Sequence, residues 1–130
     1  MSALEEFCEK ILSKTRDTVI DRETRIVDGY GTGVINSKLS GLIDTLSPTQ
    51  KEAVKKVVID TVDATFHELL YNLDENIRFK VVSYEDDGTV INLSEEHEEN
   101  LVGSFLDSID NYGKYNSSYD IIRADVPLKK

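Results

Sequence analysis

The chain has 130 residues, 39% of them hydrophobic, a formal net charge of −10 and a pI near 4.6. That length suits one domain with a real core, and the acidic balance disfavours nucleic-acid binding, which needs clustered Lys and Arg to displace counterions from phosphates. Cys8 is the single cysteine, no basic leader precedes an apolar stretch, and no segment approaches the ~20 apolar residues of a membrane span, so a soluble cytoplasmic protein without disulfides is expected.

Taken in chain order, Ser2 with Glu5 three residues on predicts a capping box, opening a helix with Leu4, Phe7, Cys8, Ile11 and Leu12 on its apolar stripe. Thr15 and Val19 extend that stripe, while the β-branched Thr18-Val19-Ile20 weakens helix preference, which leaves the helix end open. Gly29-Tyr30-Gly31-Thr32-Gly33 is a break, expected as a flexible connector. Leu39, Leu42, Ile43 and Leu46 then follow helical spacing behind a cap at Asn36 or Ser37.

Ser47-Pro48-Thr49-Gln50 combines an N-cap, a proline where its missing N–H costs nothing, and a Gln to close the box. The helix it opens keeps a three-four apolar pattern from Val54 to Leu73 and ends near Asp74-Glu75-Asn76, so it is the expected central helix. The period then falls to two. Ile77, Phe79 and Val81 alternate with Arg78, Lys80 and Val82, and Val90-Ile91-Asn92-Leu93 forms a second run across an Asp87-Gly88 turn, predicting a β-hairpin. Ser94 is the expected cap of a further helix with Glu95 and Glu96 in its first turn, Leu101, Val102, Phe105, Leu106 and Ile109 on its core face, and Gly113 at its exit. Residues 119–124 are a candidate third strand, and Pro127 with the two terminal lysines reads as a tail.

The fold class is therefore α+β: a helical layer with a long central helix packed on a small antiparallel β-hairpin. Residues 1–130 read as a single domain. Its parts are N-terminal helices and a Gly-rich connector (1–46), the central helix (47–76), the hairpin (77–93), an acidic helix (94–113) and a Tyr-containing loop with candidate strand and tail (114–130).

Charge is the most unusual feature. From Val81 to Gly113 there is no Lys or Arg, and there are nine carboxylates: Glu85, Asp86, Asp87, Glu95, Glu96, Glu98, Glu99, Asp107 and Asp110. Residues 1–80 hold 11 bases against 14 acids, and residues 114–130 hold 4 against 2, so nearly all the net charge sits in a quarter of the chain. A field of one sign attracts basic partners and repels nucleic acid and anionic lipid. Tyr112, Tyr115 and Tyr119 follow this stretch in an Asn/Ser/Gly-rich loop, and Tyr beside concentrated acid suits protein recognition.

Other constellations are weaker. Asp60, Asp63 and His67 share a flank of the long helix and could hold a divalent cation, but they make an incomplete shell without HExxH-like spacing, and a solvated helix edge is the plainer reading. His97 lies among Glu95, Glu96, Glu98 and Glu99, which favour its protonated form. Cys8 falls between apolar neighbours and reads as a core thiol. The Gly29–Gly33 pattern departs from GxGxxG and the P-loop, and placing Gly88 at the sixth position of an EF-hand puts Ser83 and Ser94 where carboxylates belong.

The stretch from Leu46 to Asn76, LSPTQKEAVKKVVIDTVDATFHELLYNLDEN, resembles one in small bacterial proteins whose capped helix, with an Asp and a His, leads into a short sheet. Some of those resemble immunity proteins of bacterial toxin systems. The resemblance implies a bacterial α+β domain and an immunity-type role, and carries over no functional residue. The leading expectation is a non-enzymatic acidic module binding a basic protein through Asp86, Asp87, Glu95, Glu96, Glu98, Glu99, Tyr112, Tyr115 and Tyr119, with no cofactor, nucleic acid or membrane. A metal-binding protein or metal-assisted enzyme using Asp60, Asp63 and His67 is one alternative. An accessory subunit with a merely solubilising acidic face is another.

Overall fold

The computed structural model describes residues 1–95 and 100–116. In chain order it contains α1 (Ala3–Phe7), a π-helical segment (Cys8–Ser13), α2 (Lys14–Val27), α3 (Val34–Ile43), α4 (Pro48–Glu75), β1 (Val82–Tyr84), β2 (Val90–Asn92) and α5 (Leu101–Tyr112). The fold is α+β, led by the long α4 and carrying a small antiparallel sheet.

Ser2 opens α1, its hydroxyl accepting from Glu5 N at 3.1 Å. The helix then continues without a break through the π segment into α2, which settles the open question of its end at Val27. A π segment adds a residue to a turn and so rotates everything after it. Leu4, Cys8 and Leu12 are buried as expected, but Ile11 is 53% exposed. After the π segment the inward positions are Ser13, Arg16, Ile20 and Thr24 in place of Thr15 and Val19.

Residues 29–33 are a hydrogen-bonded turn, not a flexible connector. The Ser40 hydroxyl donates to Ile26 O at 2.7 Å and accepts from Gly31 N at 3.1 Å, while Ser37 Oγ donates to Gly31 O. A Cβ on Gly31 would stand 2.4 Å from Asn36 O, so only glycine fits that approach. The cap of α3 is Gly33, at φ 83°, and not Asn36 or Ser37; the latter's hydroxyl is already committed to the turn. The Ser47–Gln50 capping box is present in full.

Leu4, Cys8, Leu12, Leu70, Leu93, Leu101, Phe105 and Ile109 form the main core, with Phe66 stacking at 5.2 Å from the Phe105 ring centre. Ile20, Ile26 and Val27 are buried farther along α2. The expected strand from Ile77 is shortened. Asn76 Oδ1 accepts the N–H groups of both Arg78 and Phe79, which withdraws those donors from any ladder, and β1 starts only at Val82. Val82, Ser83 and Tyr84 pair with Asn92, Ile91 and Val90.

The helix expected from Ser94 begins at Leu101, with Asn100 as its cap. Two side chains satisfy its first three N–H groups: Asp74 accepts from Leu101 N and Val102 N at 2.9 and 3.1 Å, and Asn100 Oδ1 from Gly103 N at 2.9 Å. A carboxylate there also complements the helix dipole. The candidate strand at 119–124 lies outside the described residues.

Asp74 thus joins the end of α4 to the start of α5. Asp74→Ala is expected to lower the unfolding free energy by about 1–2 kcal/mol in urea titrations followed by circular dichroism. Glu75→Ala, one residue on and exposed, should stay within about 0.5 kcal/mol of the parent.

Candidate functional site

The hairpin presents an apolar outer face beside an acidic turn. Pleating alternates side chains across the sheet, and here the alternation sends Val81, Ser83, Ile91 and Leu93 inward while Val82, Tyr84 and Val90 face solvent. Tyr84 is 80% exposed. Ile77 and Phe79, on the segment leading into β1, are exposed as well. A two-stranded sheet with apolar side chains on its solvent face departs from the usual polar-out pattern.

The turn beside this face is acidic. Glu85 O accepts from Gly88 N at 3.0 Å, Gly88 adopts φ 86°, and Asp87 Oδ1 accepts from Thr89 N at 2.9 Å. The hydrogen bonds to Thr89 hold the Asp87 carboxyl below its ordinary value, so its charge persists into mild acid. Asp86 and Asp87 are exposed at the tip, and Glu95 is exposed just past β2. Glu96, His97, Glu98, Glu99 and Tyr119 lie outside the described residues.

The two other tyrosines stand elsewhere. Tyr112 is 41% exposed at the end of α5, about 17 Å of helical rise beyond Leu101, where the chain enters from the hairpin side. It borders a groove of about 510 Å³ shared with Glu9, Lys14, Asp17 and Asp21. Tyr115 is engaged within the fold: its hydroxyl donates to Asp21, which also takes Lys114 Nζ at 2.9 Å. Asp17 accepts Lys114 N through both oxygens at 3.1 Å. These bonds hold the Asp21 carboxyl below its usual value, while burial, then the bond to Asp21, pushes the Tyr115 hydroxyl up.

Asp63 is not a helix-edge ligand. It is fully buried and paired with the equally buried Arg16, which donates Nε to one carboxylate oxygen and Nη2 to the other, the latter at 3.1 Å. The same guanidinium donates to Tyr115 O and Asn116 O at 3.0 and 3.1 Å. Among the described residues Asp60 Oδ1 is buried without a hydrogen-bond partner, and His67 Nδ1 lies 3.7 Å from Glu68. Among the described residues no group of three His, Cys, Asp or Glu side chains is placed to hold a metal ion. The Cys8 thiol is buried, and burial with nearby Asp107 and Glu5 pushes it up to about 11, a poor setting for a nucleophile. No helix among the described residues is long and apolar enough to cross a membrane.

Sequence reasoning passed over Arg16. Its usable signal was phase: Arg16, Ile20, Thr24 and Val27 are themselves at helical spacing, which only a shift of register after Leu12 reconciles with Leu4 and Cys8.

Removing one partner of this pair leaves an uncompensated buried charge, so Asp63→Ala should cost about 3–5 kcal/mol in denaturant unfolding. Arg16→Met combined with Asp63→Leu should cost well under the sum of the single changes, the excess being their coupling. The Asp21 tether has a defined sign with pH. Its carboxyl is depressed in the folded state, so its contribution is present above the unfolded value near 4 and is lost as pH falls through the folded value. Amide exchange at Lys114 and Tyr115 should therefore accelerate, relative to the core, as pH falls below about 4, and Asp21→Asn should remove part of that change. Compared with family models, curated proteins and solved structures, the chain matches none.

Proposed function

We propose that this chain is a non-enzymatic protein-binding module that engages a basic partner through its hairpin. The observation that carries the reading is the pairing of an outward apolar face, Val82, Tyr84 and Val90, with the exposed acids Asp86 and Asp87 at the adjoining turn. Apolar area supplies affinity once desolvated, and like-signed charge beside it accelerates encounter with a basic surface and disfavours acidic competitors. Among the described residues neither outer strand edge pairs with a further strand, which adds ladder groups to what the hairpin offers a partner. Glu95 and the acids at 96, 98 and 99 extend the negative field in sequence. Tyr112 belongs to a secondary contact at the other end of α5.

The immunity-type role is the concrete form of this reading: a bacterial inhibitor that covers the active surface of a basic toxin. The resemblance of residues 46–76 and the concentrated negative charge support it. A reducing cytoplasm suits a protein whose one thiol is buried and unpaired.

Affinity purification of the full chain from its source organism should recover a basic protein. The affinity of that complex should fall steeply with salt, and the protein's activity should be inhibited by binding. Asp86→Lys with Asp87→Lys should slow association about 10-fold or more at low salt, while Tyr84→Ala should mainly speed dissociation. Recovery of the chain alone, or a complex indifferent to both changes, would overturn the proposal in favour of a solubilising acidic face.

A further inference from the structure

The helix α3 is amphipathic in the reverse sense. Asn36, Ser40 and Ile43, spaced four and three apart, turn toward the body of the protein, and Ser40 is buried against Ile26 and Gly31. Ile35, Leu39 and Leu42, at the same spacing on another face, are 80%, 43% and 70% exposed, and the flanking Val34 is 75% exposed. The polar positions are inside because the Ser40 hydroxyl is needed to fasten the 29–33 turn. The cost is a solvated stripe of four aliphatic side chains, which soluble proteins retain chiefly where something covers it.

We infer that this stripe is the contact between two copies of the chain. Charge selects the occupant. Residues 29–47 contain one base, Lys38, and one acid, Asp44, in a chain whose net charge is −10. Asp44 is already paired with Lys51 at 2.8 Å. A basic partner therefore finds no field to follow here, in contrast to the hairpin tip. Two identical acidic molecules meet little repulsion at this face. An aliphatic stripe on a helix is also self-complementary under a two-fold rotation, the commonest symmetry of homo-oligomers. At roughly 100 Å² per fully exposed aliphatic side chain, the four residues offer roughly 270 Å² per copy, or roughly 540 Å² for the pair. With the apolar share of interfaces near ~60%, the whole contact comes to roughly 900 Å², about three quarters of the ~1,200 Å² at which stable interfaces begin and within the range of weak, transient ones. A contact of that size fits a weak, reversible dimer, not an obligate one.

Sedimentation of the full chain from about 1 to about 200 µM tests this. The expected result is a reversible monomer–dimer equilibrium across that range. Ile35→Glu with Leu42→Glu should weaken it about 100-fold or more by burying like charges, with unchanged far-ultraviolet circular dichroism, since both side chains are exposed in the single copy. The milder Leu42→Ser should weaken it measurably without any change in melting. Tyr84→Glu, on the hairpin, should leave the dimer intact, which separates this inference from the proposed partner surface. A monomer at every concentration would overturn it and leave residues 117–130 of the same chain, or a different protein, as the occupant. A dimer insensitive to both α3 variants would overturn it equally, by placing the contact elsewhere.

Discussion

The guanidinium of Arg16 is the constraint around which the rest of this fold is arranged. A cation with no solvent exposure must be neutralised and hydrogen-bonded, and here four hydrogen bonds come from three residues, with Asp17 Oδ1 3.6 Å from Nη1. Asp63 supplies the charge from the middle of α4, while Tyr115 and Asn116 supply carbonyls from the chain that leaves α5. Alpha2, α4 and the end of α5 are thereby fixed together by one side chain. Gly113 belongs to the same arrangement: a Cβ there would lie 2.6 Å from Ile109 O and 3.1 Å from Arg16 Nη1. Its φ of −69° would suit any residue, so this glycine is required by proximity and not by backbone conformation.

Such a pair does not by itself make a protein more stable than an apolar substitute would, because desolvating both ions offsets most of their attraction. What it does is penalise every arrangement that separates the partners. The π segment is its structural precondition. Without the extra residue between Cys8 and Ser13, Thr15 and Val19 would face α4 and Arg16 would be turned toward the flank. The irregular turn therefore reflects a choice of which residue enters the core, which agrees with the general tendency of π turns to mark positions with a special task.

The parts of the fold legible in the sequence were those written in local chemistry. The Ser47–Gln50 box, the proline after it and the long three-four pattern defined α4, and the Leu101–Ile109 spacing defined the core face of α5. The misplaced features mostly involve a side chain bonding to a distant or competing group, backbone or side chain. Asn76 took the donors that Ile77–Val81 needed for a strand. Asp74 and Asn100, 26 residues apart in sequence, together start α5 where Ser94 looked sufficient. Asp63 read as a helix edge because its partner lies 47 residues earlier. Of the residues proposed for recognition, Asp86 and Asp87 could be read as exposed from the Asp-Gly turn, while the tie between Tyr115 and Asp21 had no local signature.

The same logic explains why this chain leaves apolar groups outside. Ser40 occupies the inner face of α3 because the turn at Gly31 needs its hydroxyl, and Ser83 occupies the inner face of β1 while Tyr84 is turned out. In each element a hydrophilic residue holds the position that the pattern of a free-standing domain would give to an aliphatic one. The two outer faces then differ most in electrostatics. One adjoins a block of carboxylates with no compensating base, the other a segment in which charges balance. Apolar area sets how tightly each face can be held, and it is similar in kind on both. The surrounding charge decides what can approach. On the proposed reading, the field that would draw a basic molecule to the hairpin would keep an acidic one away, while α3 would admit an acidic molecule, a second copy included, at little electrostatic cost.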